Sequence, residues 1–594
     1  MLYAGHPPSP TENKVSQILS IISAYRHRSA TVPDRFSEFA PDLEKQLSEI
    51  VSRRQTLRFI LPAFPLKATA EGDKRKTLGS LPDKAEELAL QTLDGFADSV
   101  AEIYEVVPLF ETDRLTKGVL DLWEILDADV FAYQQELKKL ASSLGLTHLE
   151  FARPGALAGI ASEGAKTLEE CSDYVFECPN ILDGTLAQAV DPNEYENAQA
   201  TGKRYDTVLP QTEGSEGFKP AIIKREKLYT KLITSLTESA ICLSTHESNN
   251  VGKITLDLFP LQPIRTLSLP GTAPVRIVDA STVDMAKFEV ITNDEGRPWL
   301  LREKSDLFDG FLMELDFEPL FPCGMLIRPR GGYGPYKFED VNMKCVRRLA
   351  LSTAPLLLRG FTMQIDKEVF RSKALELGKI QMWPFGDILE VRENADLNVM
   401  NVLTREAMPF HYDGCFKTVQ DEKTGEQIPT PPLFQMFRNH AASLSKGGLT
   451  IFASSRNLIP LLDPETIPLE ELRKLRWQTF TPVSEASGSH GLLRPFIITH
   501  PESGVETFRF HEPWPESNCK SVPESRTTVQ VVDWPLAESD ALCDKLTRLL
   551  YDRRVAYRHQ WNTGDFVFND NAMTHHTRTA FEDGHREHWR VHIN

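Results

Sequence analysis

Two kinds of hydrophobic periodicity divide the chain into a front half and a rear half. In the front half, short apolar runs alternate with longer segments whose apolar residues recur every three or four positions. The apolar runs LRFILPAF, AICLSTH and KITLDLF predict strands at 57–64, 240–246 and 253–259. Helical spacing predicts two helices, marked by Leu88, Leu93, Phe96, Val100 and Ile103 and by Val130, Tyr133, Leu137, Leu140 and Leu144. Strands interleaved with helices are typical of an α/β domain.

The rear half has a different pattern. Between about 260 and 285 the helical periodicity stops, and PLQPIRTLSLPGTAP is rich in proline and poor in charge. Beyond it, short apolar or alternating segments such as GGLTIF, RPFIITH, ETFRFHE and GDFVFND lie between turn residues. This spacing is typical of a β-sandwich or jelly roll. One helix interrupts the strands, marked by Leu542, Leu546, Leu549 and Leu550.

Length and pattern together predict two domains, since 594 residues exceed what one ordinary core accommodates. We place an α/β, Rossmann-like domain at 1–265, a linker at 266–285, and a β-rich domain with helical insertions at 286–594. The Gly-rich stretch GGYGPY has no strand leading into it and no helix after it, so we interpret it as a loop and not as a nucleotide site.

Charge and cysteine content narrow the classes of function. The formal net charge is −18, so the chain lacks the concentrated positive charge that nucleic-acid binding requires. The eight cysteines include no CxxC pair, which indicates a reducing compartment and no disulfide framework. No run is long and apolar enough to span a bilayer, and MLYAGHPPSP lacks the features of a signal peptide. We therefore expect a cytoplasmic protein that acts on small molecules, without a membrane or nucleic-acid partner.

Candidate chemistry begins at MPFHYDGCFK, where His411 and Asp413 are two residues apart. An ordinary turn explains this pair by itself, but the C-terminal stretch adds His575, His576 and Arg586. Two imidazoles and one carboxylate on one face of an octahedral metal leave three positions open, which is diagnostic of non-haem iron(II) oxygenases. A 2-oxo acid and dioxygen fill those positions, and an arginine fork suits the far carboxylate of the 2-oxo acid. Arg586 lies ten residues after His576, a spacing that allows both to face each other across one sheet.

The rear half resembles a known family over about 275–594. The segments HYDG, GGLT, WNTGD, DNAMTHHTRTAF and REHWR occur in the order found in the taurine dioxygenase (TauD/TfdA) group of iron(II)/2-oxoglutarate-dependent oxygenases. The resemblance implies a double-stranded β-helix, or jelly roll. It also implies iron(II) and 2-oxoglutarate as cofactors and dioxygen as co-substrate, with release of succinate and carbon dioxide and hydroxylation or desaturation of a substrate.

The same resemblance implies roles for individual residues. The family's ligand spacing selects three metal ligands, His411, Asp413 and His576. Thr450 and Arg586 are implied to hold the carboxylate of 2-oxoglutarate, and Arg590 to lie near the same pocket and to reach 2-oxoglutarate or the substrate. The other histidines are expected outside the site, as a surface residue, His575, and as a solvated tail with His585, His588 and His592.

The front half resembles the isocyanide (isonitrile) synthase family of the pyoverdine/dityrosine type, through LPAFPLK, LGSLPDKAEELAL and LSTHES. That family converts the amine of an amino acid to an isonitrile, with carbon from a ketopentose phosphate such as ribulose 5-phosphate. The resemblance implies catalytic roles for Lys67, Asp113 and His246, and Lys67 suits imine formation or phosphate pairing. Two positions depart from the family pattern, since Arg114 replaces a glycine and Cys242 replaces an arginine.

Three hypotheses follow. In the first, the chain is a biosynthetic enzyme of secondary metabolism whose front half makes an isonitrile from an amino acid and whose rear half oxidises that isonitrile. In the second, only the oxygenase is active and the front half is a degenerate scaffold. In the third, the chain is a non-catalytic binding or sensing protein that retains both folds.

Overall fold

The structure is a computed structural model that describes residues 10–26, 36–62, 68–71, 74–77, 82–104, 106–111, 127–152, 240–244, 254–255, 265–269, 275–279, 283–331, 334–392, 401–425, 427–443, 447–481, 492–582 and 586–594. The chain divides into two compact units, Met1–Ser268 with Arg276–Leu301, and Leu269–Val275 with Arg302–Asn594. Among the described residues, no helix combines the length and apolar character that crossing a membrane requires.

The first unit contains a parallel sheet with helical connections. Its described elements are α1 (Pro10–Tyr25), α2 (Phe36–Ser52), β1 (Leu57–Pro62), β2 (Ala68–Glu71), β3 (Lys74–Thr77), α3 (Lys84–Ala101), β4 (Val106–Glu111), α4 (Asp127–Ser143), β5 (Glu150–Ala152), β6 (Ala240–Ser244) and β7 (Ile254–Thr255). Five strands in the order β5-β4-β1-β6-β7 form a sheet in which each neighbouring pair is parallel. Because parallel strands need crossover connections, α3 lies between β1 and β4 in the chain, and α4 between β4 and β5. The first unit is therefore an α/β structure.

The start of α3 shows how local sequence determines an element of this unit. The helix begins at Lys84, two residues after Pro82, because Asp83 is its N-cap. The Asp83 carboxylate accepts a hydrogen bond from the backbone nitrogen of Ala85 at 2.7 Å, and the Glu86 carboxylate accepts one from the backbone nitrogen of Asp83 at 2.7 Å. This reciprocal capping box satisfies two backbone donors that the first turn leaves free. The apolar face of α3 joins the core of the unit together with β1.

Four strands follow in the stretch that contains the predicted linker. They are β8 (Arg265–Leu269), β9 (Arg276–Asp279), β10 (Phe288–Thr292) and β11 (Pro298–Glu303). They form a sheet of order β10-β11-β8-β9, with β8 and β9 antiparallel. The predicted linker at 266–285 thus contains β9 and all but the first residue of β8, and these two strands pair with each other.

The second unit is built mainly from strands. Its described helices and strands are α5 (Asp306–Asp309), β12 (Leu315–Pro319), β13 (Met325–Pro329), α6 (Met343–Ser352), β14 (Leu356–Leu358), α7 (Lys367–Leu377), β15 (Ile388–Arg392), β16 (Thr418–Gln420), β17 (Gln427–Pro429), β18 (Phe434–Ala441), β19 (Thr450–Ser454), α8 (Ser455–Leu458), α9 (Leu469–Lys474), β20 (Arg476–Phe480), β21 (Arg494–Pro495), β22 (Ile497–Thr499), β23 (Glu506–Phe508), β24 (Thr528–Val531), α10 (Leu536–Tyr551), β25 (Ala556–His559), β26 (Phe566–Asp570), β27 (Thr574–Arg578) and β28 (Glu587–Ile593).

Two sheets carry the architecture of this unit. The larger has seven strands in the order β12-β13-β14-β26-β18-β28-β15, and the smaller has three in the order β25-β19-β27. Strand β18 pairs antiparallel with both β26 and β28 and is buried over most of its length. The predicted jelly roll with helical insertions is confirmed for the rear half. The segments RPFIITH and ETFRFHE differ from the prediction in detail, because β22 and β23 form a separate two-stranded sheet.

The predicted helix of the rear half is α10, and it supports the candidate site. Leu542, Leu546 and Leu550 are buried and belong to one hydrophobic cluster with Phe410 and Tyr412. The last two residues flank the first predicted metal ligand, and each is at most 6% exposed. Burial of both flanking side chains anchors the ligand-bearing loop in the core.

Candidate metal centre

Three side chains from two distant parts of the sequence meet in the second unit. His411 and Asp413 lie in the loop before β16, and His576 lies in β27. The Nε2 atom of His411 is 3.5 Å from Oδ1 of Asp413, and Nε2 of His576 is 3.9 Å from the same oxygen. One ligand atom from each residue lies within 4.8 Å of the others. Two imidazoles and one carboxylate are the donor set that suits non-haem iron(II), so these residues fit such an ion.

Backbone pairing brings the two histidines together. The backbone nitrogen of His411 donates to the carbonyl of His576 at 3.0 Å, and the reverse bond measures 2.9 Å. The loop thereby extends the smaller sheet beyond β27, and the centroids of the two rings are 4.4 Å apart. Asn571 fixes the next part of the loop, because its side chain accepts from the backbone nitrogen of Asp413 and donates to the carbonyl of Asp413.

Gly414 allows the chain to turn away directly after the carboxylate ligand. Its φ is +76°, in the left-handed region that glycine adopts at no steric cost. A Cβ at this position would lie 2.7 Å from Cδ of Pro432 and 2.9 Å from Cα of Pro431. The sequence HYDG therefore needs its glycine for both conformation and space.

Both histidines have a proton arrangement suited to metal binding. Nδ1 of His411 lies 2.8 Å from the carbonyl oxygen of Pro409, which only accepts, so Nδ1 carries the proton and Nε2 keeps its lone pair. Burial, reinforced by the neighbouring His411, lowers the pKa of His576 to about 3. A neutral imidazole is the form that ligates a metal.

The two oxygens of Asp413 have separate partners. Oδ1 faces the histidines. Oδ2 accepts hydrogen bonds from Gln435 and from Nε2 of His592 at 2.7 Å, and it forms an ion pair with Nη1 of Arg590 at 3.0 Å. Burial alone would raise the pKa of Asp413, but the charges of Arg590 and His592 outweigh it and hold that pKa well below its ordinary value. Arg590 therefore contacts the carboxylate ligand itself.

A buried guanidinium lies near this centre. Nη2 of Arg586 donates to Oγ1 of Thr450 at 3.3 Å, and Nε1 of Trp561 donates to the same oxygen at 2.8 Å. Arg586 is 8% exposed, its Nε has no hydrogen-bond partner among the described residues, and no described carboxylate forms an ion pair with it. Burial, with the nearby Arg578, lowers the pKa of Arg586. A buried cation without a counter-charge is unfavourable, so an anionic ligand would be stabilising here.

One cleft joins the metal-ligand set to this guanidinium. Its wall includes polar residues of both groups, His411, Thr450, His576, Arg586 and Arg590. Apolar side chains complete it, among them Val391, Val402, Met408 and Phe437. The arrangement accommodates a metal at one place and an anionic group at another, with an apolar surface beside them.

Comparisons with known proteins assign the two halves. The family described as taurine catabolism dioxygenase TauD, TfdA family matches residues 317–592, and the family described as pyoverdine/dityrosine biosynthesis protein matches residues 47–210. Isocyanide synthase A of Aspergillus fumigatus is 74% identical over 604 residues, which cover 100% of this chain and 100% of that relative. The chain belongs to the isocyanide synthase family. Both resemblances found in the sequence are thereby confirmed.

The chain also has relatives that match its rear half. Tyrosine isonitrile desaturase of Erwinia amylovora is 30% identical over 290 residues, which cover 47% of this chain and 92% of that relative. The crystal structure of the PvcB protein from Pseudomonas aeruginosa covers 52% of this chain and 91% of that chain, at 24% identity and a TM-score of 0.36.

Three histidines lie in places that the sequence did not predict. The prediction of a surface His575 is wrong, because that residue is 1% exposed and its Nε2 accepts a hydrogen bond from the backbone nitrogen of Phe510. The predicted solvated tail is also wrong, since His588 and His592 are 2% and 3% exposed. His585 lies outside the described residues. The reason is that β28 lies inside the larger sheet, between β18 and β15, and every side chain from His588 to Ile593, on either face of the strand, is buried.

The relation between His576 and Arg586 also differs from the expected one. They were expected to face each other across one sheet, but His576 belongs to β27 of the smaller sheet and Arg586 immediately precedes β28 of the larger sheet. The metal-ligand set and the guanidinium therefore approach the cleft from two different sheets.

Three residues around the ligands carried no predicted role. Gln435 donates to Asp413, and Asn571, used only as a spacing marker in the DN pair, fixes the Asp413 backbone. The Glu512 carboxylate accepts from the backbone nitrogen of Phe410 at 2.6 Å and from the Tyr551 hydroxyl at 3.0 Å. Burial raises the pKa of Glu512 to about 7. For Gln435, a polar residue inside the apolar strand β18, that position is a sequence signal for such a contact, whereas Asn571 and Glu512 lie outside the strands.

The front-half candidates Lys67, Asp113 and His246 lie outside the described residues. Among the described residues of the same unit, the first turn of α3 buries three charged side chains. Lys84, Glu86 and Glu87 are 3%, 0% and 6% exposed, and Lys84 pairs with Glu87. Buried charges are rare unless they are paired, and these follow β1 in the stretch that carries the LPDKAEELAL motif.

Proposed function

We propose that the second unit is an iron(II)- and 2-oxoglutarate-dependent oxygenase, with dioxygen as co-substrate. The observation that carries this proposal is the grouping of His411, Asp413 and His576 beside one cleft, whose wall also includes the guanidinium of Arg586, which no described carboxylate pairs with. Iron(II), when bound by the three ligands, supplies dioxygen activation coupled to conversion of 2-oxoglutarate to succinate and carbon dioxide.

The protein's own residues then have distinct tasks. Arg586 and Thr450 bind the distal carboxylate of 2-oxoglutarate, and this neutralises a buried positive charge. Gln435, His592 and Arg590 fix the orientation of the Asp413 carboxylate through its second oxygen. The apolar wall of the cleft limits the access of water to the reacting groups.

We further propose that the first unit forms the isonitrile that the second unit oxidises. Membership of the isocyanide synthase family supports this order, and one rear-half relative is named a tyrosine isonitrile desaturase. The substrate of the front half would be an amino acid with ribulose 5-phosphate as carbon donor, and Lys67, Asp113 and His246 are its proposed catalytic residues. The parallel sheet order supports a Rossmann-like description of this unit.

A second candidate function keeps only the oxygenase active. The departures from the family pattern at Arg114 and Cys242 favour it, because the first removes a glycine and the second removes a positive charge. The hypothesis of a non-catalytic sensing protein is not retained, since the chain is an isocyanide synthase family enzyme with an oxygenase-family half.

The test of the oxygenase proposal is His411→Ala in the full chain. We expect succinate release from 2-oxoglutarate, with iron(II) and air, to be abolished, because one of three metal ligands is gone. His440→Ala is the matched control, since His440 lies on the other face of β18 from Gln435 and packs against Trp589. Undiminished succinate from His411→Ala, measured by chromatography, would refute the ligand assignment.

A further inference from the structure

A histidine beside the candidate carboxylate-binding residues carries no assigned role. His588 lies in β28, two residues after Arg586, and pairs in register with Asn439 of β18. It is 2% exposed and lines the same cleft as Arg586 and Thr450. Its ring centroid is 4.4 Å from that of Trp561, whose indole nitrogen donates to the Thr450 hydroxyl. His588 thus belongs to the end of the cleft where the guanidinium lies.

The hydrogen bonds of Asn439 determine which nitrogen of His588 carries the proton. The amide nitrogen of Asn439 is 3.2 Å from the carbonyl oxygen of Ala441 and 3.2 Å from Nδ1 of His588. A carbonyl oxygen only accepts, so the amide group facing it must be the NH₂ and not the oxygen. The same NH₂ then donates to Nδ1 of His588. Nδ1 is therefore unprotonated, and the proton of the neutral ring lies on Nε2.

That N–H group has no acceptor in the described part of the chain. Nε2 of His588 is buried and without a hydrogen-bond partner there, as is Nε of Arg586. Burial, with Arg586 nearby, holds the pKa of His588 well below its ordinary value, so the ring stays neutral and keeps a single N–H donor. Buried donors are nearly always satisfied in folded proteins. Two of the buried donors without a described partner, those of Arg586 and His588, lie at the same end of the cleft and indicate a ligand that brings acceptor atoms there.

We infer that His588 is a third donor, with Arg586 and Thr450, to the distal carboxylate of 2-oxoglutarate. The inference rests on the proposed oxygenase function. A carboxylate offers about four acceptor positions on two oxygens, enough for a guanidinium, a hydroxyl and an imidazole N–H. A neutral donor adds a hydrogen bond without adding a second buried charge beside Arg586. His588 is then a binding residue for the cosubstrate, not a ligand of the metal.

The test compares two cosubstrates that differ only at the distal end. 2-Oxopentanoate has the same number of carbons as 2-oxoglutarate and a methyl group in place of the distal carboxylate. Full-length wild type and His588→Met, loaded with iron(II) under nitrogen, are titrated with each acid in a calorimeter. We expect His588→Met to weaken binding of 2-oxoglutarate about tenfold or more, since a hydrogen bond to a charged group is lost. Its affinity for 2-oxopentanoate should stay within about twofold of wild type.

A second variant distinguishes the loss of one hydrogen bond from general damage to the cleft. His588→Gln retains an amide N–H near the position of Nε2 and should restore most of the affinity for 2-oxoglutarate. Unchanged affinity of His588→Met for 2-oxoglutarate, or an equal loss for both acids, would overturn the inference. Failure of the proposed function has a different signature, because wild type itself would then not bind 2-oxoglutarate in the presence of iron(II).

Discussion

At Asp413 the two carboxylate oxygens have different tasks, and this separation has a testable consequence. Oδ2 is held by two hydrogen bonds and an ion pair, so Oδ1 has one orientation toward the histidines. His592→Phe removes one donor and keeps an aromatic ring in the same place. We expect the affinity for iron(II) to fall about 10- to 100-fold, the usual effect of losing an outer hydrogen bond to a metal ligand. Anaerobic titration with iron(II) measures it.

The matched control for that substitution is His440→Phe. His440 is half-buried, as part of β18, and packs against Trp589 with the ring centroids 4.0 Å apart. Its replacement should leave iron affinity unchanged, because no described contact links it to Asp413. Equal iron affinity in His592→Phe and wild type would show that Gln435 and Arg590 are sufficient to orient the carboxylate.

At the scale of elements, the turn that follows His411 and Asp413 can be tested by substitution of Gly414. Gly414→Ala strains a left-handed φ and places a methyl group against Pro431 and Pro432. Gly504→Ala is the control, since φ there is +70° with nothing within 4 Å. Both variants lose stability through φ, and Gly414→Ala should lose about 1–3 kcal/mol more through the clash. Calorimetric unfolding of both variants measures the difference.

The two glycine variants also distinguish displacement of a metal ligand from a general loss of stability. Asp413 is the residue before Gly414, so movement of the turn displaces a metal ligand. Gly414→Ala should therefore also bind iron(II) more weakly, whereas Gly504→Ala should bind it as wild type does. Equal iron affinity of the two variants would mean that the turn absorbs the extra methyl group without moving the carboxylate.

Strand β28 explains why part of the site was predictable and part was not. Its polar residues His588, Arg590 and His592 alternate with Trp589, Val591 and Ile593, and Arg586 immediately precedes the strand. Alternation correctly suggests a strand, but polarity usually marks the solvent face, and here the polar face lines the cleft.

The ligands His411 and Asp413 were identifiable because their spacing is local. The contacts of Gln435 and His592 with Asp413 depend on strand register across 22 and 179 positions, which no local pattern contains.

At the scale of the whole molecule, the proposal is that two reactions occur in sequence within one chain. The oxygenase half and the isonitrile-forming half match different families, over 317–592 and 47–210. Blocking the second reaction should therefore leave the product of the first. His576→Ala in the full chain removes a metal ligand that lies far from the front half in sequence, and it leaves Lys67, Asp113 and His246 unchanged.

Full-length His576→Ala, supplied with the common amino acids and uniformly ¹³C-labelled ribulose 5-phosphate, should accumulate an isonitrile that contains one labelled carbon. Wild type given iron(II), 2-oxoglutarate and air should convert the same compound to an oxidised product and release succinate. Mass spectrometry distinguishes the two products by their hydrogen and oxygen content. If wild type and variant both fail to incorporate the label from any amino acid, the front half is a scaffold, and the departures at Arg114 and Cys242 account for it. If the variant still yields the oxidised product, the oxidation does not depend on the three-ligand centre.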